Sequence, residues 1–136
     1  MTLIAGYIHS DTVHIVCDSA LTMITNIMDK SPIIKNGYSS FGELVEFNDH
    51  QVVTESAQKI YSLNNSTLLA FSGQVEEGNG ILEDLRIEIS ISNGKKLSST
   101  LSDFFSKRKP NLTQYIIGFQ ENDKANLFIF DNKIKN

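Results

Sequence analysis

The 136-residue sequence carries a single cysteine, Cys17. One thiol cannot close an internal disulfide, so the fold has to rest on packing, and Cys17 reads as a small buried hydrophobe on a strand, in keeping with a reducing compartment. A basic excess is also missing: 12 Lys and Arg stand against 16 Asp and Glu, a net charge of −4. That balance argues against nucleic acid or an anionic membrane surface as the main partner. No stretch approaches the roughly 20 apolar residues of a membrane span, and Met1-Thr2 is not followed by the basic and apolar segments of a secretion signal. No membrane partner is expected, and the cytoplasm is the expected location. No internal repeat or low-complexity tract is visible. Metal ligands are scarce too. His14 and Cys17 lie three apart on one strand and so on opposite faces, while His9 and His50 read as turn residues. Neither a metal site nor a cofactor is expected.

What is present is the composition of an ordinary globular domain, 40% hydrophobic and 21% charged, read as one domain over 1–136. The pattern predicts three hairpins with two helices between the second and third. Leu3 to Ile8 is an apolar strand that turns at His9-Ser10-Asp11 and returns from Thr12 to Cys17 and Asp18. A turn centred on Ser10 would set residue i opposite residue 20 − i, which faces Thr2 to Asp18. Both strands are apolar at nearly every position, which predicts a sheet covered on both faces.

A second hairpin is expected from about Ala57 to Leu63 and Ser66 to Ser72, joined through Asn64-Asn65, with Lys59 on its first strand. Its apolar run Thr67-Leu68-Leu69-Ala70-Phe71 ends at Ser72-Gly73. A glycine there permits close backbone approach to a ligand, or simply a turn. Helical spacing of Ile81, Leu85 and Ile89 predicts a helix from about Glu76 to Ile89. The stripe Leu97, Leu101, Phe104 and Phe105 predicts a second, with Lys107-Arg108-Lys109 at its negative end and Pro110 stopping it. The third hairpin pairs Gln114–Gln120 with Ala125–Asp131 around a polar turn. A loop insertion fills about 24–55, with turn signals and an extra hairpin from Glu43–Phe47 and Gln51–Thr54.

Thr2 directly follows Met1. If Met1 is trimmed, the chain begins with a free amine and a hydroxyl on one residue, an arrangement in which the α-amine serves as base for the threonine nucleophile. The plain alternative is a small residue after the start codon. Asp18 alone reads as a strand-ending turn residue, and Lys59 alone as a surface lysine.

Taken together, Thr2-Leu-Ile-Ala-Gly6, Val13-His-Ile-Val-Cys-Asp18-Ser-Ala-Leu-Thr22, Gln58-Lys59-Ile-Tyr-Ser-Leu63 and Leu69-Ala-Phe-Ser-Gly73 resemble the first half of a proteasome β-type subunit, or the peptidase subunit of its bacterial two-component relative. Tyr115–Phe119 and Asn126–Asp131 are similar to that family's next hairpin. These are N-terminal nucleophile hydrolases. The resemblance implies an α+β fold, a partial αββα sandwich of antiparallel hairpins plus two helices, lacking the family's C-terminal helices and strands and its supporting Ser/Asp/Ser group.

It further implies a threonine-type endopeptidase subunit that cleaves unfolded polypeptide within a homo- or hetero-oligomeric ring, with an ATP-dependent unfoldase as a further partner. Catalysis would fall to Thr2 as nucleophile, Lys59 and Asp18 as an electrostatic pair tuning the amine, and the Gly73 N–H as oxyanion donor. Thr22 would align an extended peptide, and Leu21, Ala57, Phe71 and Val75 would line an apolar specificity pocket. Two alternatives stay open: a non-catalytic or truncated structural subunit of the same fold, and an N-terminal nucleophile amidase acting on a small molecule.

Overall fold

The computed structural model describes residues 3–18, 20–24, 46–48, 51–55, 58–92 and 94–132. Nine strands and two helices occur among them in the order β1 (Ile4–His9), β2 (Thr12–Cys17), β3 (Ala20–Ile24), β4 (Glu46–Asn48), β5 (Gln51–Glu55), β6 (Ile60–Asn64), β7 (Thr67–Gly73), α1 (Val75–Ile91), α2 (Leu97–Arg108), β8 (Thr113–Glu121) and β9 (Lys124–Phe130). The chain divides into two compact units, one of Met1–Thr2 with Asp18–Gln58, the other of Leu3–Cys17 with Lys59–Asn136. In the smaller unit β5 pairs antiparallel with both β3 and β4. The expected hairpin around Asn48 is therefore present as β4 and β5, and β3 joins it as a third strand that the pattern had not signalled.

The larger unit is built in three layers. Its middle layer is a four-stranded antiparallel sheet in the order β6-β7-β8-β9. Strand β7 explains why an uninterrupted apolar run belongs here: Leu69 and Phe71 face one side, Ala70 and Ser72 the other, and all four are buried. On the first side lies the helix layer. Ile81, Leu82 and Leu85 of α1 and Leu101, Phe104 and Phe105 of α2 form one core with Leu69, Phe71, Tyr115, Ile117 and Phe119. Phe105 stacks on Phe128 and Phe130 at centroid distances of 5.5 and 4.8 Å. Both helices thus dock through the stripes that the 3.6-residue period predicts. Burial pushes the Tyr115 phenol pKa well up.

Helix α2 lacks a capping side chain of its own at Lys96. The cap arrives from the end of β8: Glu121 Oε1 accepts the Ser98 N–H at 3.1 Å and Oε2 accepts the Ser98 hydroxyl at 2.8 Å. The Ser98 backbone bond is the main reason the Glu121 carboxyl titrates below its usual value, with the Ser98 hydroxyl adding to it. The helix C-terminus closes on Lys109 in the left-handed conformation, its N–H donating to the Phe105 carbonyl, ahead of Pro110.

Opposite the helices, the β1–β2 hairpin packs against β8 and β9. Its approach depends on Gly118, where an added Cβ would run into Val13 Cγ1 and come within 3.1 Å of Val13 Cβ. The hairpin corrects the expected register. Ile4 pairs with Cys17 and His9 with Thr12, one residue away from a turn centred on Ser10, which would have faced Cys17 to Leu3. The connection is the two-residue Ser10-Asp11, both at positive φ (47° and 58°), the pair of left-handed residues whose twist matches that of the flanking strands. The β8–β9 turn uses the same device at Asn122-Asp123, with φ of 53° and 59°.

Coverage of this hairpin also differs from expectation. Its inner face meets the four-stranded sheet, whereas Tyr7 and Val16 on the other face are 54% and 60% exposed. A single sheet beneath it covers only one side of a pleated pair.

Two outcomes test this layer scheme. Gly118→Ala destabilises the protein by about 1–3 kcal/mol in urea unfolding, and Val13→Ala in the same chain recovers part of that loss, a non-additivity expected only if the two positions touch. Glu121→Gln lowers the thermal midpoint at pH 7. Because the Glu121 pKa is depressed by folding, its contribution is full above the usual value of 4.5 and fades as pH falls through the lower folded value, so the gap between wild type and variant closes on acidification.

Candidate functional site

The end of β7, the start of β6 and the start of β8 meet in the larger unit, and of the residues singled out by sequence Lys59, Phe71, Gly73 and Val75 lie there. Lys59 lies one residue before β6 and is 5% exposed. It is not without a partner. Its carbonyl accepts the Phe71 N–H at 3.3 Å.

The orientation of Gly73 follows from the sheet register. Gly73 pairs with Thr113, and the Gln74 N–H donates to the Leu112 carbonyl at 3.3 Å. In an antiparallel ladder a bond from residue i+1 to j−1 marks i and j as a pair whose own N–H and C=O groups point away from each other. The Gly73 N–H is therefore turned from β8 to the β6 side of β7, the side on which the Phe71 N–H meets Lys59. Gly73 itself has a φ of 129°, and an added Cβ would collide with the Leu112 carbonyl oxygen and sit 2.8 Å from Thr113 Cα. Only glycine fits that corner.

Around Gly73 the chain is clamped. Glu77, the third residue of α1, accepts the Asn111 N–H at 3.0 Å and the Leu112 N–H at 2.9 Å, one on each carboxylate oxygen. The Thr113 hydroxyl lies 3.3 Å from the Gln74 carbonyl. Partial burial raises the Glu77 pKa, but the neighbouring Thr113 hydroxyl and the Asn111 and Leu112 N–H groups outweigh it and leave the pKa below its usual value. Sequence reasoning missed Glu77. A glutamate in a first helical turn reads as a partner of the helix dipole, and nothing local announces a loop some 35 residues on.

Of the remaining predicted residues, Val75 opens α1 and is 37% exposed. Phe71 is 2% exposed, stacked on Tyr61 at 5.7 Å and tilted against Tyr115, so its ring is committed to the helix-side core. Asp18 is half-buried and is not without a partner. It belongs to the smaller unit with Leu21 and Thr22, which lie on β3 opposite Thr54 and Val53. Thr2 and Ala57 lie outside the described residues. Among the described residues no cluster of three His, Cys, Asp or Glu side chains is placed to hold a metal ion, and no helix is long and apolar enough to cross a membrane.

Antiparallel hairpins in stacked sheets with two helices on one face make a mixed α+β fold, and that fold is similar to a solved structure. The crystal structure of eukaryotic HslV from Trypanosoma brucei is similar to this chain with a TM-score of 0.50 and 15% identity, over 94% of this chain and 71% of that one. At that identity the likeness speaks for the fold. No protein-family model and no curated protein sequence matches the chain.

Gly73→Ala is expected to cost about 2 kcal/mol or more, since it adds a clash with backbone to a conformation L-residues rarely adopt. Chemical unfolding at neutral pH measures it, and a variant as stable as wild type would contradict the observed corner.

Proposed function

We propose that this chain is a threonine-type peptidase subunit of the N-terminal nucleophile kind. In this reading Met1 is removed, Thr2 Oγ attacks the scissile carbonyl, and the Thr2 α-amine takes the proton. An α-amine has an ordinary pKa of about 7.7–8.0, so a useful fraction is neutral at pH 7 before any tuning. A buried ammonium at Lys59 would lower that value by like-charge repulsion, and Asp18 would offset the lysine's charge and orient it. As the carbonyl oxygen gains charge, the Gly73 N–H would donate to it, a contribution of roughly 3 kcal/mol for a well-placed donor. Thr22 would align the peptide as an added strand, with Leu21, Ala57 and Val75 on an apolar acyl-side pocket.

The observation that carries this reading is the pairing of a buried Lys59 with a Gly73 N–H turned to the same side of β7. A lysine at that depth is costly for a merely structural purpose, and an amide donor left out of its ladder at a strand end is what an oxyanion needs. The HslV-like fold supports the same class.

A second reading is a non-catalytic subunit of this fold within a larger assembly. The exposed Leu3, Tyr7 and Val16 favour it, at 70%, 54% and 60% exposure, because an apolar face of this kind suits burial by another subunit. Ring assembly and an unfoldase partner belong to both readings, and a soluble cytoplasmic setting suits them.

One experiment separates the two. Purified protein is assayed by intact mass for loss of Met1 and for a covalent adduct with a threonine-directed electrophile. The peptidase reading expects a des-Met chain, one adduct, and loss of adduct and casein cleavage in Thr2→Ala. A retained Met1, or no adduct that depends on Thr2, leaves the non-catalytic subunit.

A further inference from the structure

Gly73 is held on both flanks, on one by β8 and on the other by Leu112, just before that strand. In the alternating ladder Ser72 and Gln114 form the pair that exchanges backbone bonds, since their neighbours Gly73 and Thr113 do not. This fixes the peptide plane before Gly73 and points its N–H away from β8. The plane after Gly73 is fixed by the Gln74 N–H on the Leu112 carbonyl, and Leu112 lies outside β8, which starts at Thr113.

Leu112 is 62% exposed and Asn111 is exposed, so packing does little to hold this segment. Its two consecutive N–H groups both end on the Glu77 carboxylate, at 3.0 and 2.9 Å. The Asn111 side chain further accepts from Asn132 Nδ2 at 2.7 Å, a bond between two exposed residues that does not reach the Leu112 carbonyl.

Glu77 stands at the third position of α1, where a glutamate commonly turns back to the N–H of its own N-cap. Here that N–H, on Gln74, is given to Leu112 instead. The carboxylate reaches across to the loop, and the Thr113 hydroxyl adds a bond to the Gln74 carbonyl at 3.3 Å. Helix start and loop thereby exchange bonds in both directions around one glycine.

We infer that Glu77 is a positioning residue for the oxyanion site, holding the Asn111-Leu112 segment so that the Gly73 N–H keeps its aim at the reacting oxygen. The inference rests on the peptidase reading above. Glu77 touches no reacting atom. Its effect passes through Leu112 to the peptide after Gly73, and the two carboxylate oxygens matched to two N–H donors are what an amide cannot reproduce, because glutamine presents one acceptor and one competing donor. The depressed Glu77 pKa agrees with a carboxylate that stays ionised to serve both.

The test compares wild type with Glu77→Gln and Thr113→Val in the same threonine-directed inactivation. The maximal inactivation rate and the reversible binding constant are measured separately, at a temperature where circular dichroism shows each protein folded. An oxyanion donor acts on the transition state and not on ground-state binding. A misaimed donor should therefore slow inactivation by Glu77→Gln about 10- to 100-fold, and by Thr113→Val about 3-fold or more, with the binding constant within about twofold of wild type.

Inactivation of Glu77→Gln at the wild-type rate overturns the inference while leaving the peptidase reading intact. So does a loss of rate that only follows the fraction of folded protein, which would make Glu77 a stabilising contact and nothing more. Wild-type protein that forms no adduct overturns the peptidase reading and this inference with it.

Discussion

The pairing of β7 with β8, in register from Thr67 opposite Phe119 to Gly73 opposite Thr113, is the constraint on which the rest of the larger unit depends. Its alternation sends Leu69, Phe71, Tyr115 and Ile117 to the helices and Ala70, Ile116 and Gly118 to the β1–β2 hairpin. The same alternation decides which amides are used up in the ladder and which are turned aside. A slip of one residue would exchange the two faces and aim the Gly73 N–H back into the sheet, so core and candidate site share one register.

Two polar clamps extend that register beyond the strand ends. Glu121, leaving β8, caps α2 through Ser98, and Glu77, entering α1, holds the segment that leads into β8. Each carboxylate satisfies donors that the regular structure leaves over, and each joins elements far apart in sequence. Helix starts carry spare N–H groups and strand entries carry loose peptides. This fold resolves both shortages with acidic side chains lent by a neighbouring element.

Much of the secondary structure was legible because its periods are plain. The Leu97, Leu101, Phe104 and Phe105 stripe gave α2, Pro110 its limit, and the apolar runs gave β7 and β8. The first hairpin shows where that legibility ends. Its strands were clear, but the turn length, and with it the register, rested on whether Ser10 and Asp11 would both take left-handed angles, a choice that sequence signals without deciding. In the site, Lys59 and Gly73 were visible through their place in an ordered motif. Glu77 was invisible, because its partners are backbone groups and any residue type but proline at 111 and 112 could have supplied them.

The sequence by itself determined the alternation of strands and helices, the apolar faces they bury and the order in which candidate residues appear, since local sterics and hydrophobic period are properties of short segments. Only the tertiary structure decided that Lys59 is buried, that the Gly73 amide is turned out of its ladder, and that Glu77 spans to the loop before β8. Those are matters of long-range register and of which backbone donors remain unpaired once the layers close, and no local pattern of side chains encodes either.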